Sequence, residues 1–126
     1  MLDLALISLA MAVAGGSPPD PPLACLPNAL DKAERQRQHE LLESVQALRV
    51  ETRELPNGFA FRLPAEAQVF RDAAEWVSLE RRCCPFLEFT LEWRRDETVW
   101  VHLTGGPGVK DFLEAELDVS WRANSR

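Results

Sequence analysis

The sequence predicts a single α+β domain, in which helices pack on one face of a mostly antiparallel four-stranded sheet in the order α-β-β-α-β-β-α. Three observations support this prediction: three segments with apolar residues at helical spacing, four short segments in which apolar and polar residues alternate, and turn residues between paired alternating segments. A chain of 126 residues is long enough to bury a core without disulfides or a bound metal.

The first half of the domain is predicted to be a helix followed by a hairpin. Apolar residues three and four apart indicate an amphipathic helix within residues 30–50, with Asp31 as its N-cap. The apolar stripe consists of Leu41, Leu42, Val45 and Leu48. Two alternating segments then flank a Pro-Asn-Gly turn at positions 56–58, which is a typical hairpin signal. Their buried face is expected to hold Phe59, Phe61 and Leu63.

A second helix is predicted between Pro64, which fits its first turn, and Pro85, which ends it. Its apolar residues at helical spacing are Phe70, Ala73, Ala74 and Val77. Because proline disfavours helical geometry in the preceding residue, Cys83 and Cys84 should lie in the last turn of this helix, just before a strand.

The second half continues with another hairpin and a closing helix. Residues on the inner face of the first strand are Leu87, Phe89, Leu91 and Trp93, and the second strand follows a polar turn at 94–97. Trp100 falls on the face opposite Val99 and Val101, where an exposed indole would mark an interface such as a homodimer contact, unless another element covers it. The closing helix carries Val109, Phe112, Leu113 and Leu117.

The ends of the chain differ from the domain in composition. We expect an apolar and Pro-rich leader at 1–22, one domain at 23–120 and a tail at 121–126. The apolar stretch is too short for a membrane-spanning helix, which takes roughly 20 residues, and its head carries no Lys or Arg. Two interpretations stay open: a cytoplasmic protein whose translation starts at Met11, and a protein exported after cleavage near Ala14.

The charge of the chain narrows the class of partner. A formal net charge of −6 argues against nucleic acid and against an anionic membrane surface as binding partners.

The three cysteines cannot all pair within one chain, so at least one thiol stays free. The expected partner is therefore a small ion or a thiol-reactive ligand.

Four motifs, in a fixed order along the chain, resemble those of a known protein family. They are Ala24-Cys25, LPNGFAFRLP, ERRCCPFLEFTLEW and LTGGPGVKDFL, and they cover roughly residues 23–117. In these motifs the chain resembles a small, largely uncharacterised bacterial family. The resemblance implies one compact domain and, because family members often begin shortly before the Ala-Cys, a cytoplasmic location; it implies no reaction. Similar Cys-Cys segments in bacterial metal-responsive regulators suggest metal handling.

The cysteines are the strongest candidates for chemistry. Thiolates bind soft cations, and Hg(II), Cu(I) or Zn(II) would accept two or three sulfurs. We expect Cys25 to fold back over the end of the second helix and to join Cys83 or Cys84, with Glu80 as a supporting oxygen ligand. This hypothesis makes the protein a soft-metal or metalloid binder in metal resistance or sensing. A structural zinc site would need a fourth ligand that the spacing does not supply.

Two alternatives to metal binding stay open. In a thiol-dependent enzyme, Cys83 or Cys84 would be the nucleophile and Glu80 or His102 would accept its proton. In a non-catalytic interaction module, the cysteines would be buried and inert, since free cysteine is among the most buried residue types. Neighbouring helical residues point about 100° apart, so one of the adjacent cysteines can be part of the core while the other reacts.

Overall fold

Three helices and four strands follow one another along residues 22–117, the part of the chain that this computed structural model describes. The elements are α1 (Lys32–Leu48), β1 (Glu51–Leu55), β2 (Gly58–Leu63), α2 (Ala67–Cys83), β3 (Glu88–Trp93), β4 (Val99–Thr104) and α3 (Val109–Glu116). Most of the predicted leader and tail lies outside the described residues. Within 22–117 no helix has the length and apolar character needed to cross a membrane.

The four strands form one antiparallel sheet in the order β1-β2-β4-β3, which confirms the predicted fold class and element order. The two hairpins meet along β2 and β4, where Phe59 pairs with Leu103 and Phe61 pairs with Val101. These four side chains are at most 4% exposed. The inner face of the sheet is therefore the centre of the core, because both central strands present large apolar residues to the same side.

The helices cover that inner face. Trp76 of α2 contacts Phe61 and Phe89 with ring centroids 6.3 Å and 6.0 Å apart, and Phe112 of α3 packs edge-on against Phe86 at 4.7 Å. Helix α1 packs mainly against α2. Such edge-to-face contacts contribute to stability beyond the area that they bury.

The start of α1 agrees with the prediction. Asp31 is its N-cap: its carboxylate accepts the Glu34 N–H at 2.8 Å, and the Glu34 carboxylate accepts the Asp31 N–H at 3.1 Å. This reciprocal capping box satisfies two backbone donors that the first turn leaves free. The apolar stripe was predicted one residue too long, because Leu48, the last residue of the helix, is 39% exposed.

The predicted face of α2 was wrong in part. The helix begins at Ala67 instead of including Pro64 in its first turn, and Ala74 is exposed. Its fully buried residues are Val69, Ala73, Trp76 and Leu79. The buried stripe of α2 therefore lies on a different side of the helix from the predicted one. The large indole of Trp76 fits between two phenylalanines of the sheet, and burial of a large aromatic surface stabilises the fold more than burial of an alanine does.

Trp100 lies on the outer face of the sheet, as predicted, but it is not exposed. Its ring is only 3% accessible because the guanidinium groups of Arg53 and Arg94 cover it at 4.4 Å and 5.1 Å from the ring centroid. These cation-π contacts, rather than a separate covering element, shield the indole from solvent. The expectation of an exposed Trp100 surface is thus wrong, and a homodimer through this face stays a prediction.

Candidate metal centre

The three cysteines of the chain meet at the carboxyl end of α2. Cys83 is the last residue of the helix, Cys84 is its C-cap, and Cys25 comes from the segment before α1. Their Sγ atoms all lie within 4.8 Å of one another, and the Sγ atoms of Cys25 and Cys84 are 2.9 Å apart. The sequence separates these two residues by 59 positions, so only the tertiary fold brings the thiols together.

Backbone and side-chain contacts hold Cys25 in place. The Leu26 N–H donates to the Cys83 carbonyl at 2.8 Å, which uses one of the carbonyls that a helix end leaves unpaired. Arg82 donates to the Ala29 carbonyl at 2.9 Å and forms an ion pair with Glu34 at the start of α1. The segment before α1 therefore folds back over the end of α2, as predicted from the sequence.

The end of α2 separates the adjacent cysteines. The Cys84 N–H still donates to the Glu80 carbonyl at 2.7 Å, but Cys84 has left helical geometry with φ −121° and ψ 73°. Its carbonyl accepts the Leu87 N–H at 3.1 Å, which turns the chain toward β3. Cys84 is 2% exposed and belongs to the core, whereas Cys83 is half-buried and Cys25 is exposed. One thiol is thus anchored in the core and one faces solvent.

The surroundings of the thiols favour the protonated form. Burial, the hydrogen bond with Cys25 and the negative charge of Glu80 raise the pKa of Cys84 far above its ordinary value. Burial also raises the pKa of Cys25, although the hydrogen bond with Cys84 partly opposes this change. Arg82, whose charge would favour a thiolate, is paired with Glu34 instead. Both Cys25 and Cys84 are therefore thiols at neutral pH unless a bound cation displaces their protons.

Glu80 lies at the edge of the cysteine cluster. One carboxylate oxygen is 3.5 Å from the Sγ of Cys84, and the other accepts a hydrogen bond from the side-chain amide of Gln38 at 2.6 Å. Among the described residues, the group whose ligand atoms all lie within 4.8 Å of one another consists of the three cysteines. The Cys84 thiol is within hydrogen-bonding distance of Glu80, and the roles of Glu80 as a proton acceptor and as a metal ligand stay predictions.

His102 is not part of this cluster. It lies in β4, where its neighbour Leu103 faces inward, and its Nε2 is 3.5 Å from a carboxylate oxygen of Glu92. Because successive residues of a strand point to opposite faces, His102 is directed away from the side of the sheet that α2 covers. The structure therefore offers no contact through which His102 would accept a proton from Cys83 or Cys84.

A mostly apolar cavity of about 140 Å³ adjoins the thiols. Its walls are formed by Cys25, Leu42, Trp76, Glu80, Cys84, Leu87, Leu103, Phe112, Leu113, Glu116 and Leu117. The Nε1 of Trp76 is buried and has no hydrogen-bond partner among the described residues. This cavity was not predicted from the sequence, although Trp76, Glu80 and Cys84 are spaced four residues apart and so share one side of the helix end.

Comparison with known proteins adds no relative, because no family model, no curated protein and no solved structure matches this chain.

Proposed function

We propose that this protein binds one soft metal or metalloid ion through the thiolates of Cys25, Cys83 and Cys84. The observation that carries the proposal is the convergence of three sulfur atoms from two distant parts of the chain within 4.8 Å of one another. Cysteine sulfur is a soft ligand that selects soft cations over Mg²⁺ or Ca²⁺. The similarity of the Cys-Cys segment to segments of bacterial metal-responsive regulators suggests a role in metal resistance or sensing.

The spacing of the sulfurs fits a three-coordinate ion. Three sulfurs about 2.3 Å from a central ion, in a trigonal arrangement, lie about 4 Å apart. All three Sγ atoms lie within 4.8 Å of one another, so the cluster is close to this size, and the Cys25–Cys84 pair, now 2.9 Å apart, has to open. Cys25 is exposed and precedes α1, so it is the ligand that can move without disturbing the core.

The ligand set favours Hg(II), Cu(I) or a trivalent metalloid over Zn(II). Zinc is almost always four-coordinate in structural sites, and among the described residues the compact group supplies three ligands. A cation that binds the cluster must also release the thiol protons, because the pKa values of Cys25 and Cys84 are raised. Ions with very high affinity for sulfur are favoured, because their binding free energy most easily exceeds the free energy needed to remove these protons.

The test is a titration of the reduced, folded protein with Hg(II), Cu(I), arsenite or Zn(II), followed by thiol alkylation and mass spectrometry at each cysteine. We expect one soft ion per chain, joint protection of all three cysteines, and at least about tenfold weaker binding for each single Cys→Ser variant. Glu40→Gln, an exposed change on α1, is the control for a nonspecific loss of charge. Protection of Cys25 alone, or equal affinity in the Cys→Ser variants, would contradict the proposal.

A second candidate function is supported by the 2.9 Å approach of the Cys25 and Cys84 sulfurs. Two thiols this close are placed to form a disulfide when a small-molecule disulfide oxidises them: the two protein thiols lose two hydrogens, and the oxidant is released as two thiols. The raised pKa of Cys84 speaks against its acting as a fast nucleophile in an enzyme, because the thiolate is the reactive form. Incubation with oxidised glutathione, followed by mass spectrometry, tests for the Cys25–Cys84 disulfide.

A further inference from the structure

The cavity next to the cysteine cluster contains only two of the three thiols. Cys25 and Cys84 form part of its wall, whereas Cys83 does not. Apart from these sulfurs, Glu80 and Glu116, the wall consists of leucine, phenylalanine and tryptophan side chains. A pair of sulfurs at one end of an apolar space differs from a site for a bare ion, because a bare ion has no group that would occupy the apolar part.

The size of the cavity indicates what the apolar part can hold. Its volume is about 140 Å³. An apolar cavity of about 150 Å³ in another protein is known to take up benzene, so the space here matches one small hydrocarbon group such as a phenyl ring. Trp76 and Phe112 supply aromatic surface on two sides of it, from α2 and α3. Aromatic rings pack well against such surfaces in edge-to-face geometry.

From these observations we infer that the preferred ligand is a trivalent metalloid compound that carries one small apolar organic group, such as a monoaryl arsenical. The inference rests on the proposed function and specifies its ligand. A dihydroxy compound R–As(OH)₂ reacts with two thiols to give R–As(S–Cys)₂ and two water molecules, with no change in oxidation state. Cys25 and Cys84 form the two arsenic–sulfur bonds, and the organic group occupies the apolar cavity.

The role of Cys83 distinguishes this ligand from an inorganic ion. Arsenite has three exchangeable oxygens and binds three thiols, whereas a monoaryl arsenical keeps one bond to carbon and binds two. Cys83→Ser should therefore weaken arsenite binding by at least about tenfold and change the affinity for phenylarsine oxide by less than about threefold. Cys84→Ser should weaken both ligands.

The experiment compares arsenite, methylarsine oxide and phenylarsine oxide on the reduced, folded chain. We expect the phenyl compound to bind at least about tenfold more tightly than the methyl compound, because the larger group buries more apolar surface. Leu117→Trp, at a half-buried position of the cavity wall, should remove that preference and leave arsenite binding unchanged. Leu48→Trp, at an exposed position outside the wall, is the matched control.

The possible results separate the inference from the proposed function. Arsenite binding with no preference for the phenyl compound, or a preference that Leu117→Trp leaves intact, would overturn the inference and leave the three-thiol site standing. Loss of binding for all three compounds would overturn both. The comparison of ligands on the unaltered chain does not depend on the folding of any variant.

Discussion

The Leu26 N–H donates a hydrogen bond to the carbonyl of Cys83 at 2.8 Å, and this contact joins the segment that carries Cys25 to the helix end that carries the other two thiols. Arg82 reinforces the junction through the Ala29 carbonyl and the Glu34 carboxylate. The positions of the three thiols therefore depend on the hydrogen bonds and the ion pair that attach the segment before α1 to the end of α2.

The three cysteines should differ in reactivity. Alkylation of the folded, reduced protein at pH 8 should modify Cys25 first and Cys84 last, because Cys25 is exposed and Cys84 is 2% exposed with a strongly raised pKa. We expect the rates for these two residues to differ by at least about 100-fold. Mass spectrometry after timed quenching gives the rate at each site, and unfolding in urea is the control that should make the rates similar. Equal alkylation rates for Cys25 and Cys84 in the folded protein would contradict the burial of Cys84.

Removal of Arg82 should loosen the cluster. In Arg82→Ala, the segment around Ala29 loses a hydrogen bond and the ion pair with Glu34, so Cys25 should be held less firmly near Cys84. We expect soft-ion affinity to fall about three- to tenfold, which is the effect of one exposed ion pair plus one hydrogen bond.

Arg81→Ala is the matched control for this change, because Arg81 is the exposed neighbour on the same helix end. It should leave the affinity within about twofold of the unaltered protein. Isothermal titration with Hg(II) or arsenite, in competition with a small dithiol, gives the affinities. Equal losses in the two variants would mean that general positive charge, rather than the contact with Ala29 and Glu34, supports the site.

Stability should fall at alkaline pH through Cys84. Its pKa is raised in the folded state, so above about pH 8.5 the unfolded chain loses this proton while the folded chain keeps it. The folded state then binds more protons than the unfolded state, and the free energy of unfolding decreases as pH rises. The free energy of unfolding should decrease by at most about 2 kcal/mol by pH 10. The decrease is limited because solvent near the exposed Cys25 screens the charges around Cys84.

Urea unfolding at several pH values between 7 and 10 measures this dependence. The chain has no tyrosine and its lysines are Lys32 and Lys110, so few side chains other than the cysteines titrate in this range. Cys84→Ala should be less stable at pH 7 by about 1 to 2 kcal/mol, because it removes a buried sulfur, but its alkaline slope should be smaller. An unchanged slope in Cys84→Ala would show that Cys84 is not the group responsible.

Gly58 should not accept a side chain. A Cβ at this first residue of β2 would lie 1.9 Å from the carbonyl oxygen of Leu103, which is closer than any real contact. Gly58→Ala should therefore shift β2 against β4 and lower the free energy of unfolding by about 3 kcal/mol or more. Because Leu103 forms part of the cavity wall, binding of a phenyl arsenical should weaken as well.

The adjacent and exposed Asn57 provides the control for this prediction. Its carbonyl accepts the Gly105 N–H, but that backbone contact survives in Asn57→Ala. We expect Asn57→Ala to change the free energy of unfolding by less than about 1 kcal/mol. Chemical denaturation of the two variants side by side measures the difference, and a Gly58→Ala protein as stable as Asn57→Ala would refute the close approach.

Local patterns were sufficient to predict the elements of the fold. The Asp31 cap and the Pro-Asn-Gly turn each depend on interactions within a few residues, and both appear in the structure as expected. The alternation around Leu91 forms β3 as predicted, but Trp93, which was expected on the inner face, is 39% exposed at the end of this edge strand. The face of α2 was less predictable, because its sequence has apolar residues on more than one side. Packing against the sheet selected Trp76 and left Ala74 exposed.

The sequence by itself determined the α+β order, the position of Cys83 and Cys84 at a helix end before Pro85, and the candidate role of thiols. Only the tertiary structure decided that Cys25 lies beside Cys84, that His102 lies apart from the thiols, and that an apolar cavity adjoins them. The physical reason is that helices, turns and strands follow from neighbours in the chain, whereas contacts between distant residues and the volume between elements depend on how those elements pack together.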